Sequence, residues 1–87
     1  MKYYIYLLKS LKNNTYYIGS TSNLDSRLDT HNSGKVKYTS RNRPYVLIGY
    51  ETSKTSKDAR WREYEVKHSA WKRKQFINNL VPVAQLG

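Results

Sequence analysis

The sequence predicts one α+β domain, a small three-stranded antiparallel sheet flanked by helices in the order β-β-α-β-α-α. Two aromatic and β-branched runs lie close together near the amino terminus, and a third apolar run follows in the middle of the chain. Helix-capping patterns occur between and after these runs. With 87 residues the chain has room for one modest core. We place the domain at residues 1–80 and an unpatterned tail at 81–87.

The first two strands are predicted at residues 3–9 and 15–20, where tyrosine, isoleucine and leucine dominate. Between them, Asn13 and Asn14 belong to a residue type that tolerates positive φ in turns, so the two runs should form an antiparallel hairpin. Gly19, near the end of the second run, indicates a bulge or a close backbone approach.

The first helix is predicted from a capping box, with Ser22 as N-cap and Asp25 in the first turn. The helix should end before Gly34, which suits a C-terminal cap. Residues 35–43 follow, and they contain four basic side chains and no acidic one. We interpret this segment as a basic loop.

The third strand is predicted at residues 44–51, and its nearly continuous apolar run is typical of a strand that is central or covered on both faces. Thr55 or Ser56 should cap a second helix that continues to about His68. A third helical segment is predicted at residues 70–80.

Composition favours a polyanionic partner, because 16 Lys and Arg against 6 Asp and Glu give a net charge of +10. An aromatic content of 14% argues against disorder, and the lack of cysteine excludes disulfide scaffolds and zinc fingers. No apolar run approaches the roughly 20 residues that span a bilayer, and the start of the chain does not resemble a leader, so we expect a cytoplasmic protein without a membrane partner. The basic residues expected to contact nucleic acid are Lys35, Lys37, Arg41 and Arg43 in the loop and Lys72, Arg73 and Lys74 in the last helix.

The first candidate site combines the tyrosines of the hairpin, Tyr6 and Tyr17, with Arg27 and His31 of the first helix. Residues four apart share one helix face, so the Arg27 and His31 side chains can converge. Together they could hold a phosphate, the arginine through its bidentate fork and the histidine through a titratable proton. The alternative is that the pair only decorates a solvated helix face.

The second candidate is Glu63, which shares a predicted helical stripe with the small apolar residues Ala59, Val66 and Ala70. A carboxylate in such a place requires a partner or a metal, and one carboxylate can suffice for Mg²⁺, which keeps several waters and takes other ligands from phosphates. The alternative is an ion pair with a neighbouring cation: Arg60, Arg62 or Lys67.

Two tripeptides, Tyr4-Ile5-Tyr6 and Tyr17-Ile18-Gly19, precede Arg27 and His31 on the first helix. In this order and spacing the residues resemble the GIY-YIG nuclease domain, of the small free-standing, UvrC-like type. The resemblance extends over residues 3–78. A tyrosine replaces the first glycine of the family, but the ring of Tyr6 is kept, so activity is expected to survive.

The resemblance implies hydrolysis of phosphodiester bonds with Mg²⁺, or another divalent cation such as Mn²⁺. By analogy, Glu63 would hold the cation, and Tyr6 would position or deprotonate the attacking water. Tyr17 would contact the phosphate or that water. Arg27 would offset developing charge, and His31 would assist proton transfer.

The resemblance also suggests an active-site asparagine late in the domain, Asn78 or Asn79. The implied substrate is DNA recognised by shape more than by sequence, with RNA not excluded. The alternative function is a catalytically silent nucleic-acid-binding module, in which tyrosines stack on bases and basic residues follow the backbone.

Overall fold

The computed structural model describes residues 2–83, which form four strands and three helices. In chain order these are β1 (Tyr3–Ser10), β2 (Tyr16–Thr21), α1 (Leu24–Asn32), β3 (Tyr45–Ser53), α2 (Ser56–His68), α3 (Ala70–Asn78) and β4 (Val81–Pro82). The predicted α+β class and the order of the first six elements are confirmed.

The sheet is antiparallel with strand order β2-β1-β3-β4, so the prediction of three strands was wrong. The fourth strand, Val81–Pro82, pairs with Gly49 and Tyr50 in a segment that was expected to be unpatterned. A Cβ atom at Gly49 would lie only 2.7 Å from the Val81 carbonyl oxygen, so the glycine permits this approach. Residues 84–87 of the predicted tail lie outside the described residues.

Helices cover both faces of the sheet, and β1 contributes four consecutive buried residues that alternate between the two faces. The face under α2 and α3 has a core formed by Ile5, Leu7, Ile18, Ala59, Val66 and Phe76. The face under α1 has a core formed by Tyr6, Leu8 and Tyr45, with Tyr17, Leu24 and Leu28 packed against it. The strand predicted to be central, β3, is interior in the sheet, but β1 is more deeply buried.

Two of the helix ends differ from prediction by one or two residues. Asn23 caps α1 in place of Ser22, since its side-chain oxygen accepts a hydrogen bond of 3.0 Å from the backbone nitrogen of Ser26. Thr55 caps α2, as predicted. The third helix ends at Asn78, two residues early.

The segment between α1 and β3, which was predicted to be a basic loop, contains some regular structure. Gly34 leaves α1 with a φ of +82°, which favours glycine, and a 3-10 helix forms at Ser40–Asn42. Thr39, just before the 3-10 helix, is fully buried beside α1. Within residues 2–83, none of the helices is long and apolar enough to cross a membrane.

Candidate active site

The candidate site straddles β2, which is an edge strand of the sheet. Tyr6 of β1 is opposite Gly19 of β2, and both face α1. A Cβ atom at position 19 would lie 2.6 Å from the Tyr6 Cζ atom, so the missing side chain lets the phenol cross over β2. The group that approaches Gly19 is thus a side chain, and not the backbone that the sequence predicted.

The hydroxyl group of Tyr6 links the sheet to α1. It lies 3.0 Å from His31 Nε2, and it accepts a hydrogen bond of 3.2 Å from Arg27 Nε. His31 is fully buried and Arg27 is half-buried, so the pair does not simply decorate a solvated helix face. The one-turn spacing of the two residues directs both side chains at one oxygen atom.

The hydrogen-bond partners of Thr39 assign the proton of the neutral His31 ring to one of its two nitrogens. Its hydroxyl oxygen lies 2.8 Å from His31 Nδ1, and the hydroxyl donates to the Val36 carbonyl at 3.4 Å. The Thr39 oxygen therefore accepts from Nδ1–H, which leaves Nε2 free to accept from the Tyr6 hydroxyl. The hydrogen bonds then run in one direction, from Arg27 through Tyr6 and His31 to Thr39.

The pKa values of the two central groups agree with this direction. Burial, with a smaller effect from Arg27, lowers the pKa of His31 to about 4, so the imidazole is neutral at pH 7 and its Nε2 can accept a hydrogen bond. Burial also raises the pKa of Tyr6 to about 12, although its hydrogen bond from Arg27 acts in the opposite direction. The bond to Tyr6 raises the pKa of Arg27, which keeps the guanidinium charged.

Tyr17 connects the buried network to the surface. Its ring centroid lies 4.8 Å from that of His31 and 6.3 Å from that of Tyr6. The Lys67 ammonium group of α2 lies 5.4 Å from the centroid of the Tyr17 ring, within cation–π range. A cation from the α2 side of the sheet thus reaches Tyr17 on the α1 side.

Glu63 approaches the edge of β2 from α2. Its Oε1 accepts a hydrogen bond of 2.7 Å from the Ser20 hydroxyl, and its Oε2 pairs with Lys67 Nζ at 2.6 Å. Ser20 follows Gly19, so the alternation of the strand sends Gly19 to the Tyr6 side and Ser20 to the Glu63 side. The apolar stripe predicted around Glu63 is correct for Ala59 and Val66, which are buried. It does not continue to Ala70, which is exposed at the start of α3.

The donors near Glu63 fit Mg²⁺ as a one-carboxylate site. Among residues 2–83, no three His, Cys, Asp or Glu side chains gather as they would in a metal cage made of protein alone. Mg²⁺ is commonly held by one or two carboxylates, several waters and a substrate phosphate, so a single glutamate suffices. Because Lys67 pairs with Oε2, a cation at this oxygen must compete with the ammonium group.

A family model described as the GIY-YIG catalytic domain matches residues 2–78, nearly the whole described chain. The chain belongs to the GIY-YIG family. This is a superfamily of nucleases, and the predicted resemblance is confirmed.

Relatives of this GIY-YIG domain include small bacterial proteins of the UPF0213 group. One from Staphylococcus haemolyticus is 45% identical over 67 residues, covering 76% of this chain and 80% of its own length. Protein YazA of Bacillus subtilis is 39% identical over 74 residues, covering 84% of this chain and 74% of its own. The solution NMR structure of UPF0213 protein BH0048 from Bacillus halodurans is similar with a TM-score of 0.52 at 36% identity, covering 90% of this chain and 84% of that one.

The remaining residues predicted for the GIY-YIG site are dispersed. Asn78 is exposed at the end of α3 and does not line the groove beside Tyr17, within the part of the chain described. Two basic residues of α3 have internal partners: Lys72 pairs with Glu65, and Arg73 donates to the Val66 and Lys67 carbonyls at the end of α2. The other predicted contacts with nucleic acid are exposed: Lys35, Lys37, Arg41, Arg43 and Lys74.

Three residues of this GIY-YIG site were missed as site residues in the sequence. Thr39 lies in the predicted basic loop and was given no role of its own, and nothing local marks it as buried. Ser20 could have been found from strand alternation, since it faces the side opposite Gly19. Lys67 was considered only as an ion-pair partner of Glu63, which it is, and its contact with the Tyr17 ring depends on how α2 packs against β2.

Proposed function

We propose that this protein is a divalent-metal-dependent endonuclease that hydrolyses phosphodiester bonds in DNA. The observation that carries the proposal is the meeting of two groups at the edge of β2: the directional network through Tyr6 and His31 on one side, and the Glu63 carboxylate on the other. A proton acceptor, fixed cations and an oxygen ligand at one strand edge suit phosphoryl transfer to water.

In this proposal Tyr6 holds the attacking water. The neutral Nε2 of His31 accepts the hydrogen bond of the phenol, which would leave a lone pair of the phenol oxygen to hold the water. The bond from Arg27 stabilises negative charge on the phenol oxygen and on a nearby phosphate. The exposed edge of the Tyr17 side chain contacts the phosphate or the water.

Glu63 would hold the divalent cation, with Ser20 orienting the carboxylate through its hydroxyl group. When bound, Mg²⁺ or Mn²⁺ supplies Lewis-acid stabilisation of the phosphate charge. Lys67 would leave Oε2 as the cation arrives and turn its ammonium group toward the DNA, which keeps a positive charge close to Tyr17.

DNA shape would guide selection more than sequence. The basic side chains of the segment before β3 are exposed, and contacts from such groups fall on phosphates, which carry no sequence information. A groove of about 850 Å³ runs beside Tyr17 and is open to solvent. A DNA substrate also fits the cytoplasmic location predicted from the sequence.

One observation favours the second candidate, a nucleic-acid-binding module without catalysis. Both oxygens of Glu63 have partners inside the protein, Ser20 and Lys67, so the carboxylate is satisfied without a metal. In such a module Glu63 would be structural, and its loss would affect folding more than any reaction.

Replacing Glu63 with glutamine separates the two candidates. We expect Glu63→Gln to lower Mg²⁺-dependent cleavage of labelled branched, flapped and linear DNA by at least about 100-fold, while affinity for DNA changes by only a few-fold. Glu65→Gln is the matched control, since Glu65 lies on the same helix as Glu63 and is likewise paired with a lysine, Lys72 of α3. Wild-type protein without cleavage on any substrate, or a Glu63→Gln variant with full activity, contradicts the proposal.

A further inference from the structure

Three side chains on the outer face of α2 form a stack that the proposed reaction does not use. The rings of Trp61 and Tyr64 lie 5.5 Å apart with an interplanar angle of 18°, and those of Tyr64 and His68 lie 4.1 Å apart at 24°. We call these three residues the aromatic ladder. Its spacing along α2 places all three rings on one face of the helix.

The ladder is exposed, although a small protein gains stability from burying aromatic rings. Trp61 is 62% exposed and Tyr64 is 53% exposed, whereas Tyr45 and Phe76 are buried in the two cores. The histidine is held in the stack, because His68 Nδ1 donates a hydrogen bond of 2.8 Å to the Tyr64 carbonyl. The stack is thus preorganised in solvent, which is a property of a binding surface.

The ladder is continuous with the candidate active site. His68 is its last member and also lines the groove beside Tyr17, together with Lys67 and Arg73. A chain that follows the ladder from Trp61 to His68 therefore enters the groove and arrives at the tyrosines.

The surrounding charge selects a polyanion over a protein. Lys57 and Arg60 are exposed one turn before Trp61 and Tyr64, and neither has an ion-pair partner within residues 2–83. Of the three carboxylates of α2, Glu63 and Glu65 are paired with lysines, and Asp58 in the first turn is exposed. The whole chain carries a net charge of +10.

We propose that the aromatic ladder binds the unpaired bases of a single-stranded DNA tail and leads that strand into the groove beside Tyr17. Duplex DNA does not present base faces at its surface, whereas unpaired bases stack on exposed rings at about 1–3 kcal/mol per base. Among the described residues the outer faces of Trp61 and His68 have no further ring against them, so a base can extend the stack at either end. This inference rests on the proposed function, since it names the DNA structure delivered to that site.

The test compares tails that differ only in their bases. The Glu63→Gln variant is titrated with a duplex carrying a ten-thymidine tail, with the same duplex carrying ten abasic positions, and with a blunt duplex, and affinity is read by fluorescence anisotropy. We expect the thymidine tail to bind about 10-fold more tightly than the abasic tail, because the phosphates are equal and only the stacking differs.

Trp71 supplies the matched control, since it is 67% exposed on α3 and lies outside the ladder. Trp61→Ala with Tyr64→Ala should abolish the preference for thymidine, while Trp71→Ala should keep it. In the Trp71→Phe variant, the fluorescence of Trp61 should be quenched by the thymidine tail and not by the abasic tail.

Equal affinity for the two tails, or an equal loss from Trp71→Ala, overturns the inference. A dimer in sedimentation that Trp61→Ala converts to monomer also overturns it, because a second copy would then occupy the ladder. The thymidine preference in a wild-type protein that cleaves no DNA supports the ladder and defeats only the nuclease proposal. Cleavage of DNA without a preference for the thymidine tail supports the nuclease proposal and overturns the inference about the ladder.

Discussion

Thr39 illustrates how one buried hydroxyl group sets the chemistry of its neighbours. His31 has two ring nitrogens, and either could carry the single proton of the neutral ring. Since the Thr39 oxygen accepts from Nδ1, the lone pair of Nε2 faces Tyr6. Thr39 is therefore a positioning residue that acts through His31.

We predict that Thr39→Val lowers the turnover number of DNA cleavage by about 10- to 100-fold with little change in KM. Without the Thr39 acceptor, the buried ring gains by moving its proton to Nε2, which would then donate to Tyr6 and could not accept from it. Thr39→Ser keeps the hydroxyl and should restore most of the activity. ¹⁵N NMR of the ring would show the change of tautomer, and an unchanged tautomer with unchanged turnover contradicts the prediction.

We predict that His31 makes the fold sensitive to acid. Its pKa is about 4 in the folded protein, where burial and the Arg27 guanidinium oppose protonation, against 6.5 as the ordinary value. Between these pH values the unfolded chain binds more protons, so the free energy of unfolding falls as the pH is lowered from about 6.5 to 4, by up to about 3 kcal/mol.

Urea unfolding at pH 7.0 and 4.5 measures this loss. His31→Gln should show a clearly smaller drop across the same window than the wild type, while His68→Gln, on the exposed ladder, should follow the wild type. If all three proteins lose the same free energy of unfolding, the acid sensitivity arises elsewhere.

At the scale of elements, β2 organises the site because it is the edge strand and its two faces hold different halves of the chemistry. Gly19 faces the Tyr6 network, and Ser20 faces Glu63. At an interior strand, the backbone of the sheet would separate these two halves of the site. An edge strand that carries a glycine lets the Tyr6 side chain pass over it.

We predict that Gly19→Ala lowers the free energy of unfolding by about 1–3 kcal/mol and DNA cleavage by about 100-fold or more. The new Cβ atom would lie 2.6 Å from the Tyr6 Cζ atom, and the buried ring must move away from His31. A double-mutant cycle isolates the cause, because Gly19→Ala should cost almost nothing in a Tyr6→Ala background. Additive costs in that cycle contradict the proposed clash.

At the scale of the whole molecule, the net charge of +10 is not uniformly available to a partner. Lys72 and Arg73 are held by Glu65 and by the end of α2, so their substitution would disturb the packing of α2 and α3 as well as the charge. Lys35 and Lys37 are exposed in the segment that covers His31, which makes them better probes of DNA binding.

We predict that Lys35→Gln with Lys37→Gln flattens the dependence of DNA affinity on salt. Each phosphate that the variant no longer neutralises should reduce the slope of log affinity against log salt by about 0.9 for duplex DNA. Lys2→Gln with Lys54→Gln removes the same charge beside the Tyr3–Ser53 end of the sheet and serves as the control. Equal slopes for the two double variants, measured by anisotropy across a salt series, would exclude DNA binding by the loop.

Local patterns in the sequence were sufficient to predict the class of fold and the main candidate residues of the site. Runs of aromatic and β-branched residues marked β1 and β2, a capping residue marked the start of α2, and the two tripeptides with Arg27 and His31 indicated the family. The strand and capping signals depend on residues that are close in the sequence, and the family motif depends on the order and spacing of its residues, so none of these signals requires knowledge of the packing.

Only the tertiary structure decided how these residues meet. Tyr6 and His31 are 25 residues apart, Ser20 and Glu63 are 43 apart, and β4 pairs with β3 through two residues that carry no strand pattern. The burial of Thr39 likewise depends on the segment after α1 folding back over that helix. Such contacts arise from packing α1 and α2 on opposite faces of one sheet, and local periodicity contains no information about which distant side chains this packing brings together.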